Sequence, residues 1–310
     1  MNGFALSLPI LTHPNGLCSW KPIALVAIKA LAQTPGGMEM RSEGMQQMID
    51  GRVTLKTRLR LCVGGNIKRS IELLQANRHH FPHSNYGQRY LDVCWQLIGT
   101  WESPRVLHMG CGRDRSGLTA QRRAASGARF VGVDIDFDSL KEYPLVDRVL
   151  ADLAALPFCD GAFDLAMCEE VFEHIERPHS VVAEAARVLA RGGKLVFATP
   201  SKLGYISLIS WATPLWFHRM VQNLLNPGRN EGELLFATFY RLNTPWAVER
   251  VMRNHGFRRE LLEMTEPWPW MLRLHPLLVR LGILWGRLVQ RLNVLQPLRN
   301  RILGVYSKQS

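Results

Sequence analysis

The chain has 310 residues, 47% of them hydrophobic and 21% charged, a balance that supports a buried core and argues against disorder as the default. Its formal charge of +12 admits an anionic membrane surface, a nucleic acid or an anionic small molecule as partner and selects none of them. The six cysteines, Cys18, Cys62, Cys94, Cys111, Cys159 and Cys168, include no Cys-x-x-Cys pair, which argues against a zinc site or a disulfide framework and for a reducing, cytoplasmic setting.

Residues 1–50 are rich in Pro, Gly and Leu without a clear period, and a poorly ordered N-terminal extension is expected there, with Met40, Met45 and Met48 as further start positions. Its apolar run PIALVAIKALA (22–32) is too short to span a bilayer and contains Lys29. The long, weakly charged stretch before that run is unlike a secretory leader. Residues 51–100 read as a basic segment and a helix. RVTLKTRLRLCV (52–63) alternates basic and apolar residues at period two, which predicts a short strand or a surface-hugging segment whose cations meet solvent or phosphate. YGQRYLDVCWQLI (86–98) sets Tyr90, Leu91, Cys94, Leu97 and Ile98 at helical spacing.

Beyond residue 101 short apolar runs alternate with helical patterns, the order of an α/β protein with a parallel sheet. Strands are predicted at 105–109, 129–134, 147–151, 163–168 and 194–199. Between the last two, SVVAEAARVLARGG predicts a helix stopping at Gly192 and Gly193. Residues 201–240 break the pattern with Tyr205, Trp211, Trp216, Phe217 and His218, and a substrate lid is expected there. TPWAVERVMRNHGF (244–257) predicts a helix ending at Gly256, with a strand after it. Residues 267–300 predict an amphipathic helical insertion. There Arg273, Arg280, Arg287 and Arg291 share one side, and leucines with Val279, Ile283 and Trp285 fill the opposite arc. This pattern suits a membrane surface contacted through 271–292, and equally a packed cap or dimer contact. RILGVYSK (301–308) is expected as an edge strand.

The first strand runs into Gly110-Cys111-Gly112, where glycine lets the backbone turn sharply and bring amides close to a ligand. Asp134 ends the second strand, where a carboxylate can accept both hydroxyls of an adenosine ribose. Asp152 follows the third, where it can accept from an adenine amino group, with Leu153 as an apolar wall for the ring. Each alone serves equally well as a strand-end cap, but three polar turns at successive strand ends point to one nucleoside ligand. A dinucleotide-binding fingerprint needs a third glycine, and residues 110–115 read GCGRDR.

On these residues the sequence resembles the class I S-adenosylmethionine-dependent methyltransferases, particularly the type 11 domain group. VLHMGCG, VGVDID, ADLAALPF, FDLAMCEEVFEHIERP and RVLARGGKLVFATPS carry the likeness across about 105–200, and HGFRRE (255–260) extends it. The resemblance implies a Rossmann-like, seven-stranded, mostly parallel sheet with helices on both faces and the last strand antiparallel, in a domain spanning 101–310. It further implies S-adenosyl-L-methionine as cofactor, held by Gly110, Cys111, Gly112, Asp114, Asp134, Ile135, Asp152, Leu153 and Cys168. His108 and Asp114 stand where the family usually has an acid and a glycine. Asp114 is placed to contact the amino group of the cofactor's methionine part, and a neutral His108 to donate a hydrogen bond into the loop.

The family places the transferred methyl after the fourth strand. There Glu170, Glu173 and His174 stand at i, i+3 and i+4, so one helical turn puts them on one face as catalytic residues able to take a proton from a hydroxyl acceptor. The same three are a minority candidate for Mg2+ ligands, with His218 as a fourth, against the simpler reading that Glu173-His174 packs the turn before Pro178. The expected activity is methyl transfer, most often to oxygen, on a small or lipid-linked acceptor. Asn-Pro-Pro-Tyr and Pro-Cys signatures of base methylation are absent. The alternatives are an RNA methyltransferase using the basic N-terminal segment and a non-catalytic cofactor-binding or membrane-associated protein.

Overall fold

The computed structural model describes residues 55–81, 86–112, 124–141, 147–214 and 237–309. The extension at 1–50, Asp114, His218 and most of the expected lid lie outside the described residues. The chain divides into residues 1–64 and 65–310, and apart from the opening turns of the first helix the fold set out below lies in the second unit.

Two helices, α1 (Leu55–Ala76) and α2 (Tyr86–Ile98), precede the first strand, β1 (Arg105–Met109). Then follow β2 (Arg129–Asp134), α3 (Phe137–Lys141), β3 (Arg148–Leu150), β4 (Phe163–Glu169), α4 (Pro178–Val188), β5 (Leu189–Pro200) and α5 (Tyr205–Ala212). The chain ends with α6 (Pro245–Asn254), β6 (Phe257–Thr265), α7 (Pro276–Arg291) and β7 (Arg301–Lys308). The seven strands form one sheet in the order β3-β2-β1-β4-β5-β7-β6, with β7 antiparallel to both neighbours and the pairings from β3 to β5 parallel.

Alternation along the strands builds a core on each face of the sheet. Val106, Leu165, Met167 and Val196 point toward α2, which answers with Tyr90, Val93, Cys94 and Ile98. Their neighbours Leu107, Ala166, Cys168 and Phe197 point the other way, under Val181, Val182, Ala185 and Val188 of α4 and Val248, Val251 and Met252 of α6. Thr244 starts α6 by accepting a hydrogen bond from the Ala247 amide, with Pro245 in the first turn. Leu74 and Phe81 form a third cluster with Val279 and Ile283 of α7.

Four expectations change. Residues 55–63 are the opening turns of α1, not a strand, because period two over one short window does not outweigh the helix that continues to Ala76. The helix after β4 stops at Val188, and Leu189 already pairs with Phe163. Leu189 is buried, so its hydrophobicity suits either element. RILGVYSK is not an edge strand: β7 lies between β5 and β6, which explains its unbroken run of buried residues from Ile302 to Ser307. Arg273 precedes α7, is buried and lies over the Trp270 ring, so it does not share the arginine face.

Because β1 is flanked by β2 on one side and β4 on the other, the carboxyl ends of these strands adjoin at the point where the strand order reverses. Open α/β sheets bind ligands in that crevice.

Candidate functional site

The turn after β1 is built by two glycines in the left-handed region, Gly110 at φ +64 and Gly112 at φ +50. A side chain at Gly110 would also meet Val171, its Cβ falling 2.4 Å from a valine methyl carbon. The position therefore needs glycine for both backbone and space. Between them Cys111 turns inward, packing with Leu140 while its amide donates to the Val133 carbonyl.

Asp134 holds this turn from β2. Its Oδ2 accepts from the Gly112 amide at 2.7 Å and its Oδ1 from the Asp136 amide at 2.9 Å. Asp152 similarly accepts from the Ala154 amide at 2.9 Å. Both carboxylates thus cap local backbone, and capping leaves acceptor capacity on each, since a carboxylate offers about four lone-pair sites. Both also face a cavity of about 560 Å3, whose wall includes Gly110, Gly112, Ile135 and Leu153. Ile135 is 65% exposed, an uncovered apolar side chain at the mouth. Cys168 is buried in the core at the end of β4, apart from the side chains that line the cavity. His108 is buried within β1 and also lies off the cavity wall.

The segment after β4 does not form the expected helical turn. Glu170 takes φ +55 as the chain leaves the sheet, and the 3-10 helix Phe172–His174 begins only after it. The i, i+3, i+4 spacing therefore does not place three side chains on one face. Glu170 lies at the cavity wall with its carboxylate paired to Arg301 of β7. Glu173 turns into the protein, where Thr199 donates to its Oε2 at 2.9 Å, and Asn243 donates in turn to the Thr199 hydroxyl at 2.7 Å. Burial, with the nearby Glu170 charge second, pushes the Glu173 carboxyl up to about 8. His174 lines the cavity, with Nδ1 2.9 Å from the Ala237 carbonyl. A carbonyl can only accept, so Nδ1 carries a proton and neutral His174 keeps its lone pair on Nε2, 3.8 Å from Glu173 Oε1. Among the described residues no group of three His, Cys, Asp or Glu side chains is arranged to hold a metal ion.

The chain returning at 237–240 is fastened to this segment. Besides the His174 bond, the amides of Phe239 and Tyr240 donate to the Glu173 carbonyl at 2.7 and 3.2 Å. Phe239, Val171 and Ile175 add apolar cavity wall that the sequence reading missed. Val171 and Ile175 sit inside a motif already singled out. Phe239 and the Thr199–Asn243 pair come from distant segments and carry no local signal.

Residues 107–197 match the protein family described as a methyltransferase domain. This stretch is a methyltransferase domain of the class I S-adenosylmethionine-dependent kind. The similar proteins include a ubiquinone biosynthesis O-methyltransferase of Chromobacterium violaceum, 36% identical over 170 residues that cover 51% of this chain and 66% of that protein. Another, from Bordetella avium, carries the same name and is 32% identical over 118 residues, 35% of this chain and 48% of that one. The chain spans about half the length of most of these curated relatives, for example 46% for the Bordetella pertussis protein. Among solved structures, a SAM-dependent methyltransferase from Archaeoglobus fulgidus is 18% identical with a TM-score of 0.47, covering 72% of this chain and 93% of that one.

The residues present fit the cofactor of this family. A glycine turn that a Cβ would fill, two strand-end carboxylates with acceptor capacity and the Ile135 and Leu153 side chains surround one cavity. This donor set suits a ribose, an amino-bearing base and the flat faces of that base.

Proposed function

We propose that this chain transfers a methyl group from S-adenosylmethionine to a hydroxyl oxygen of a small or lipid-linked acceptor. The observation that carries the reading is the shared cavity: the Gly110–Gly112 turn, Asp134, Asp152 and His174 all line it. When bound, S-adenosylmethionine would supply an electrophilic methyl on its sulfonium, the C–S bond breaking and its electron pair leaving with the neutral thioether as the acceptor oxygen bonds to the carbon in line. In this reading Asp134 accepts from the ribose hydroxyls and Asp152 from the adenine amino group, while Ile135 and Leu153 flank the ring. Val171, Ile175 and Phe239 keep water from the reacting end, and positioning of this kind supplies roughly 7–11 kcal/mol of barrier reduction.

His174 Nε2 takes the hydroxyl proton as the acceptor attacks. The Ala237 carbonyl accepts from Nδ1, which puts the basic lone pair on Nε2. Glu173, facing Thr199 and covered by protein, lies 3.8 Å from that same Nε2 and acts as a positioning residue beside the imidazole. Glu170 contributes wall and charge balance through Arg301. The divergence of the two glutamates gives Mg2+ no role in this reading. The names of the relatives add weak support for oxygen as the methylated atom.

Calorimetry with S-adenosylmethionine is the first test. Wild type is expected to bind and Asp134→Ala to lose most of the heat; no heat from either defeats the reading. Transfer of a labelled methyl to a panel of phenols, prenylated phenols, amines and short RNA then identifies the acceptor atom. His174→Ala is expected to lower kcat by about 10²–10⁴ with cofactor affinity retained, and methylation of amines or RNA in place of hydroxyls overturns the assignment to oxygen.

A further inference from the structure

α7 has two apolar faces. Val279, Ile283 and Val289 are buried together with Gly282 and Gly286. The glycines admit close packing: a Cβ at Gly286 would lie 2.4 Å from the Phe81 ring, and one at Gly282 would lie 2.7 Å from Pro269. The opposite face carries Leu277, Leu281, Leu284 and Leu288 at helical spacing, exposed by 56%, 53%, 63% and 43%. Packing of the helix on its own chain therefore leaves a continuous apolar stripe in solvent, where monomeric surfaces scatter such residues singly.

The charge carried by α7 itself is of one sign. Arg280, Arg287 and Arg291 are exposed along one flank of α7, since a rotation of about 100° per residue places all three on the same side of the leucines. No Asp or Glu occurs anywhere from residue 267 to 310, whereas Arg and Lys recur throughout it. Glu266, the last acid in the chain, is buried and accepts from both the Asn300 amide and its side chain. Just before α7, Trp270 and Met271 add exposed apolar surface.

We propose that the outer face of α7 docks on an anionic phospholipid surface, the leucines entering the acyl boundary and the arginines reaching the phosphates. The helix lies in the plane of the interface: none of the described helices is long and apolar enough to cross a membrane, and an apolar stripe with a cationic flank suits the plane instead. A second copy of the chain fits less well, because nothing in 267–310 carries a carboxylate to answer the arginines. The inference stands on this surface alone and does not depend on the methyl-transfer reading.

Flotation of the full chain with vesicles tests it. Binding is expected to vesicles of phosphatidylcholine mixed with phosphatidylglycerol, much less to phosphatidylcholine alone, and to weaken as salt is raised. Leu281→Glu with Leu284→Glu removes two exposed apolar anchors and is expected to cut binding by at least about tenfold. The melting temperature and cofactor binding should be unchanged, because both leucines face solvent. Arg280→Ala and Arg287→Ala each weaken binding about fivefold and flatten its salt dependence. Equal flotation of the leucine variant and wild type overturns the proposal. So does a vesicle-free dimer that the leucine variant dissolves while wild type fails to float.

Discussion

Glu173 has the identity of a catalytic carboxylate and the surroundings of a core residue. Its side chain is 5% exposed, it accepts from Thr199, and burial raises its carboxyl from about 4.5 to about 8. In the unfolded chain the group ionises as pH passes its ordinary value, whereas in the folded protein it keeps its proton until about 8. The unfolded state therefore binds fewer protons across that window, and stability falls as pH rises through it, levelling off above. Glu173→Gln removes the titration while keeping an acceptor for Thr199. The expected outcome is a melting temperature that declines less steeply than wild type between the two values; a wild type gaining stability relative to the variant toward pH 8 would show that Glu173 folds ionised. The residues of EEVFEHIERP were legible as a site in the sequence, but their directions were not. Their spacing predicts one helical turn, and one residue at positive φ, Glu170, turns the two glutamates apart.

Among the elements, β1, β2, β4 and the middle of β5 were readable because each is a short apolar run bounded by polar or glycine turns, the mark of a strand covered on both faces. The place of β7 was not readable, since interior and edge strands differ in what lies beside them and not only in their own residues. Its register gives a test of that place. Gly304 faces Phe197 across the β5–β7 pairing, and a Cβ there would lie 2.4 Å from the ring. Gly304→Ala is expected to destabilise the protein by about 1–3 kcal/mol through overpacking. Combined with Phe197→Leu, the cost should fall clearly below the sum of the single variants, because the two share one contact. Additive costs in denaturant unfolding would show that β7 does not pair with β5 in this register. The arginines and leucines of α7 teach the complementary lesson: the sequence shows one apolar arc, and only the packing of Gly282 and Gly286 shows that half of it is already used.

At the scale of the whole molecule, the site is assembled from the ends of β1, β2 and β4, the turn after β3 and the segment returning at Phe239. The glycine turn and the strand-end carboxylates were readable because their spacing follows one repeated strand-to-loop pattern. Phe239 was not, because only the closed fold brings it beside His174. A ligand held by that many separate segments stabilises all of them together: unfolding any one releases it, and the folded state gains RT ln(1 + [L]/Kd). At a hundredfold excess of S-adenosylmethionine over its Kd the gain is about 2.7 kcal/mol, enough to raise the melting temperature by several degrees in a chain of this size. Asp134→Ala should lower the shift strongly at the same cofactor concentration, because Asp134 both fixes the Gly112 amide and faces the cavity. His174→Ala should keep the full shift, since in the proposed reaction it meets the acceptor and not the cofactor. Loss of the shift in both variants would place His174 in cofactor binding and leave the acceptor hydroxyl without its proposed base, whereas an unaltered shift in Asp134→Ala would move the ribose away from β2.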